Sequence, residues 1–233
     1  MRPLPLWRHE VQRAGWTALL TPPLAVAAPL LIAFVDAGAS ASDREIAQNF
    51  FGALEMGVPL AAGIGAASLV GRDPAAELLL TTPEGYRAVL LRRLAVTVGW
   101  AALMAVLLAG TMVATGWWAR WPANHGPLVG QLIWLAPTLG LATLGFLAGA
   151  AFRGPAAAGG LVAICWLVQQ IFAETVQEQG WSRLLYLFAT TRGTVPADWT
   201  ANRITLIAAA AVFAAVAWPL LGRTERLLPE VTE

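Results

Sequence analysis

The sequence predicts an all-α membrane protein with six transmembrane helices, and two observations carry that reading. Residues 14–35, 94–119, 121–152, 154–173 and 204–222 contain no Asp, Glu, Lys or Arg, and a sixth stretch, 46–71, holds only Glu55. A helix rising ~1.5 Å per residue needs roughly 20 residues to cross a ~30 Å hydrocarbon layer. These stretches run from 19 to 32 residues. The second observation is composition: 58% of residues are hydrophobic and 12% charged, about half the charged fraction of a soluble domain. Six spans in 233 residues leave room only for short loops, so residues 1–233 read as one transmembrane domain.

In chain order, residues 4–15 come first. They place Trp7, Val11, Ala14 and Ala18 at helical spacing while Arg8, Glu10, Gln12 and Arg13 face elsewhere. That is the pattern of a helix lying flat in the interface, or of a solvated first turn of the following span. The first span covers about 16–35. Its apolar run is longer than the roughly 7 to 15 residues of a signal peptide, so it reads as retained. Pro22, Pro23 and Pro29 should kink it, which neighbouring helices can accommodate. The second span, 48–71, is crowded with Ala61, Ala62, Gly63, Gly65, Ala66 and Ala67. Together with Gly140, Gly145 and Gly149 of span four, these small residues let helices approach closely, within one subunit or across a dimer.

Residues 72–87 form the most distinctive loop. Asp73 before Pro74 is an N-cap with Pro at the first helical position, starting a short helix that runs through Glu77 and Leu78 to Leu80. Thr82 before Pro83 repeats the device, and the second helix continues through Arg87, Arg92 and Arg93 into span three, 94–117. A short displayed helix with three leucines suits a partner's groove. Spans four and five follow at 128–152 and 155–173. The outer loop 174–203 contains WSRLLYLFATT, too short to span but suited to dipping into the bilayer as a re-entrant helix, or to forming an ordinary surface turn. Span six covers 204–222.

With the N-terminus inside, ten Arg fall on inner segments and five on outer ones, which favours both termini in the cytoplasm. Trp117, Trp118 and Trp121 then gather at the outer boundary, as interfacial aromatics do.

All fifteen basic residues are Arg. Without Lys the chain can hold neither a Walker A loop nor a Schiff base. Cys165 is the only cysteine, and His9 and His125 lack further ligands at metal spacing, so no disulfide and no metal site are expected. No Gly-x-Ser-x-Gly or paired Asp supports an intramembrane enzyme, and no catalytic residue is assigned. Glu55 is the one ionisable residue read inside a span. It faces a substrate path or bonds a neighbouring helix. Gln131, Gln169 and Gln170 lie in the same outer half, which suggests a polar vestibule above an apolar pathway for amphipathic or lipid-like cargo.

The loop after span two resembles that of the ABC type-2 transporter permeases, which have an interfacial N-terminal helix, six spans, and a segment reading roughly E-x-G-T-L-E-x-L-L-x-x-P. Glu77 matches the second acid, Leu78, Leu79 and Leu80 the apolar core, and Thr81, Thr82 and Pro83 the closing turn. Asp73 stands one position after the expected first Glu, and Pro74, Ala75 and Ala76 replace Gly-Thr-Leu. The resemblance implies a coupling helix made of Asp73, Glu77, Leu78, Leu79, Leu80, Thr81, Pro83, Glu84 and Arg87. It would insert into a separate ABC ATPase subunit, present in two copies, and that partner would hold the ATP and Mg; this chain needs no cofactor. It also implies a second permease subunit, as homodimer or heterodimer, and a bacterial cytoplasmic membrane with its lipid as surroundings. Nucleic acid has no place in it. The other readings are a non-transporting anchor or regulatory subunit and an intramembrane enzyme.

Overall fold

The computed structural model describes residues 15–38, 41–70 and 86–222. The predicted interfacial helix 4–15 lies almost entirely outside them, as do Asp73, Glu77, Leu78, Leu79, Leu80, Thr81, Pro83 and Glu84 of the coupling segment. Among the described residues every regular element is helical. Six long helices run up and down: α1 (Gly15–Gly38), α2 (Asp43–Ser68), α3 (Tyr86–Ala114), α4 (Leu132–Phe152), α5 (Pro155–Ile171) and, after two short helices, α8 (Trp199–Leu220). The short ones are α6 (Ala173–Glu178) and α7 (Gly180–Arg183).

Among the described residues, five stretches are long and apolar enough to cross a membrane: Leu19–Gly38, Asp43–Ser68, Arg87–Ala114, Val129–Phe152 and Pro196–Leu220. The expected fifth span, 155–173, is the one that falls short. α5 has 17 residues, about 25 Å at ~1.5 Å per residue. Its start is set by Pro155 after the left-handed Arg153, and at Phe172 the helix breaks towards α6.

α4 is the centre of the bundle, packing against α2, α8 and α5 and more lightly against α3, while α1 lies on the periphery against α2 and α3. Small residues make the central crossing possible. A Cβ on Gly145 of α4 would collide with the carbonyl oxygen of Gly63 on α2, and one on Gly149 would lie 3.0 Å from the Ala67 oxygen. Both close approaches are therefore within this one chain, whereas a Cβ on Gly140 would meet nothing within 4 Å. At the periphery, Gly57 of α2 admits the Ala25 carbonyl of α1, which a Cβ would approach to 2.7 Å. Trp100 of α3 donates its indole N–H to the Leu19 carbonyl at 2.9 Å, which fastens the other side of α1.

α2 opens with a capping box. The Ser42 hydroxyl accepts from the Glu45 N–H, and the Glu45 carboxylate accepts from the Ser42 N–H at 2.8 Å, so two otherwise orphaned donors are satisfied. Ten residues on, the helix widens into a π-helical turn, Ala53–Gly57, before resuming as α-helix at Val58. Such single turns re-aim side chains, and this one carries Glu55.

Candidate functional site: a buried ion pair beneath a folded-in loop

Glu55 is fully buried on the π-helical turn. Its Oε1 accepts from the backbone N–H of Thr190 at 2.7 Å and from Nη2 of Arg203. Its Oε2 accepts from the N–H of Thr191 at 2.8 Å and from the Thr191 hydroxyl at 2.6 Å. An ionised carboxylate is acceptor-only, and here both oxygens are used, two of the four donors being consecutive backbone amides.

The cation comes from an unexpected place. α8 begins at Trp199, five residues before the predicted span 204–222, so Arg203 stands within the helix and is fully buried. Glu55 is therefore not the only ionisable group inside a long helix, and the outer loop ends before residue 203. Besides Glu55, Arg203 donates to the Leu187 carbonyl at 3.1 Å and to the Thr190 hydroxyl at 2.8 Å. Its guanidinium carbon sits 5.5 Å from the centre of the Trp199 ring.

Between the two charges runs the backbone of residues 183–194, irregular beyond the end of α7, in which Leu185, Tyr186 and Arg192 make turn-type backbone bonds and most of the other N–H and C=O groups must be satisfied otherwise. Side chains do this almost one by one. Asn202 Nδ2 reaches the carbonyls of Arg183, Leu184 and Tyr186 at 3.0, 3.1 and 2.8 Å. Gln169 accepts from the Leu187 N–H at 2.8 Å, and Trp121 donates to the Thr190 carbonyl at 3.2 Å. Gln177 closes the far end, donating to the Arg192 carbonyl at 3.1 Å and accepting from the Thr194 N–H at 2.7 Å.

Apolar burial supplies the rest: Tyr186, Leu187 and Phe188 are buried among Ala136, Leu141, Val162 and Leu206, with Trp166 edge-on to Phe188 at 5.8 Å. Burial pushes the Tyr186 phenol up to about 12.

A second loop closes over this assembly. Trp199 donates to the Thr190 hydroxyl at 2.8 Å, and the His125 imidazole stacks on the Trp199 ring with centres 3.7 Å apart and planes at 14°. Partial desolvation of the largely exposed imidazole, and then the Arg203 cation, hold His125 below the usual imidazole range.

The polar residues singled out in the sequence thus divide. Glu55 and Gln169 meet on the same irregular segment, from α2 and α5. Gln170 contacts the Met56 sulfur at 3.1 Å, next to Glu55 in the chain. Gln131 stays apart at the mouth of α4, donating to Pro127 O at 2.7 Å and accepting from Trp134 at 2.8 Å. Arg87, from the coupling segment, lies over the Trp218 ring at 5.2 Å, at the opposite end of the bundle.

Arg203, Asn202, Gln177, Thr190, Thr191, Trp199 and Trp121 were not anticipated. One general signal existed, that a carboxylate inside a span requires a partner, but it does not single out Arg203 from the other outer arginines, Arg44, Arg120, Arg183 and Arg192. Among the described residues no group of three or more His, Cys, Asp or Glu could hold a metal ion. The opposed charges cancel and every acceptor of Glu55 is filled from its own chain, so the site's evident chemistry is to hold the segment 183–194 inside the bundle.

Fold and site define an all-helical bundle with five apolar helices long enough to cross a membrane, braced at one end by a buried ion pair. No family model, curated protein or solved structure matches the chain.

Proposed function

We propose that the chain is the transmembrane subunit of an ATP-driven exporter, coupled to a separate ATPase subunit. The observation that supports this best is the braced end of the bundle, taken together with the sequence of the 72–87 segment. In the structure, Glu55 and Arg203 hold a segment folded back among the helices at one end; in the sequence, Glu77, Leu78, Leu79 and Leu80 of the 72–87 segment resemble a coupling helix. A bundle with one end braced in this way, in a chain that also carries such a motif, is suited to passing a conformational change across a membrane. In this reading α5 and α6 together complete a sixth crossing, the segment 183–194 is the re-entrant part, and two copies of the chain work with two ATPases.

The anchor or regulatory alternative has one observation in its favour: Glu55, Gln169 and Gln170 all bond within their own chain. An internal polar lattice of that kind stabilises a bundle whether or not it transports.

Two measurements test the proposal. Single cysteines at Ala76 and Ala197, in a Cys165→Ala background, are expected to label from opposite faces of intact cells. Labelling of both from outside would overturn the topology.

The coupling itself is tested by Leu79→Asp. An unpaired carboxylate in an apolar groove costs several kcal/mol, so the tagged variant should lose the ATPase that co-purifies with the wild-type chain while keeping its thermal stability in detergent. If no ATPase co-purifies with the wild type, or if the variant is destabilised yet retains its partner, the coupling role is wrong.

A further inference from the structure

The loop after α3 is drawn tight over the buried pair. Asn124 donates to the Trp121 carbonyl at 2.7 Å and accepts from the Gly126 N–H at 2.9 Å, and His125 between them adopts φ 53°, the left-handed region that a non-glycine residue enters at a cost. What that conformation achieves is the stack of His125 on Trp199. Trp199 in turn touches Thr190, which is bonded to both Trp121 and Arg203. A residue on the surface is thereby joined through one ring to the ion pair in the interior.

We propose that His125 is a pH-responsive clasp: the neutral imidazole holds residues 121–131 shut over Trp199, and its protonation releases them from the buried pair beneath. The charges facing it explain why. From α8, Arg203 already places a cation against Trp199. The other charges around the loop are engaged elsewhere, Arg183 with Asp198 at 2.5 Å and Arg44 over Trp121 at 5.9 Å. The balancing anion, Glu55, is committed to Thr190, Thr191 and Arg203. A second cation on the Trp199 ring is therefore opposed by desolvation and by Arg203 more than Glu55 supports it, and water is the better place for it. His125 is exposed and can reach it.

The sign follows. A histidine held below its ordinary range favours the closed loop while neutral. That contribution is fully present above the free imidazole range and is lost as pH falls through the lowered value. The clasp is independent of whether the chain transports anything.

The test is hydrogen exchange of the purified full chain in detergent at pH 7.5 and 5.0, corrected for intrinsic rates, in a His9→Gln background that leaves His125 as the sole histidine. Protection of the amides of 121–131 should fall roughly threefold or more on acidification. His125→Phe keeps the stack without a proton to gain. His125→Asn suits the left-handed backbone and removes the stack. Neither should respond to pH, and the Asn variant should be less protected at both values. A response in either variant equal to that of His125, or none in the parent, overturns the clasp.

Discussion

Arg203→Met is expected to destabilise the protein by about 3–5 kcal/mol, the largest effect of any single substitution considered, because it strands a fully buried carboxylate. Glu55 would keep its bonds from Thr190 and Thr191, but those neutral donors would face a full negative charge with no cation beside it. Glu55→Gln strands Arg203 in the same way. The informative case is the pair: with Glu55→Gln and Arg203→Met combined, neither charge is left uncompensated, so the double variant should be more stable than the Arg203→Met single. Thermal denaturation in detergent provides the comparison. An Arg203→Met protein that melts with the wild type would show that the pair contributes nothing to holding the segment 183–194.

Gly145→Val should be nearly as damaging. The obstacle is backbone against backbone, since a Cβ at Gly145 collides with the Gly63 carbonyl and no rotamer change can move it aside. α2 and α4 would have to separate along the most extensive helix contact in the bundle. Overpacking of this kind costs about 1–3 kcal/mol, and a β-branched side chain adds to it. Gly140→Ala serves as the control, because a Cβ there meets nothing within 4 Å and the helix gains in propensity. If both substitutions lower the melting temperature equally, close approach is not what Gly145 provides.

The helices were legible because a bilayer imposes length and apolarity together: each long helix overlaps a stretch that is free, or nearly free, of charge. The ends were harder to read. Arg203 looked like the charge that terminates a span, and read by charge alone it would belong to a loop. Only its fit against Glu55, 148 positions away in the chain, makes burial affordable. Gln169 was noticed for its position, but its partner is the backbone N–H of Leu187, which carries no residue-specific signal. The same holds for Asn202, whose three acceptors are carbonyls. The apolar run of the segment was legible in WSRLLYLFATT, but bonds made by its main chain leave no imprint on its side chains, so its partners could not be read from it.

The separation of Glu55 and Arg203 also sets an order of events. The chain leaves the ribosome N-terminus first, and 148 positions at ~5–20 residues per second correspond to roughly 7–30 s between the two residues. During that interval α2 exists without its cation, and the segment 183–194, once made, has Glu55 and Gln169 to bind but not Arg203. The arrival of the last helix is thus the event that completes the interior, and a nascent chain that stops short of it carries an unanswered charge as the mark of its own incompleteness.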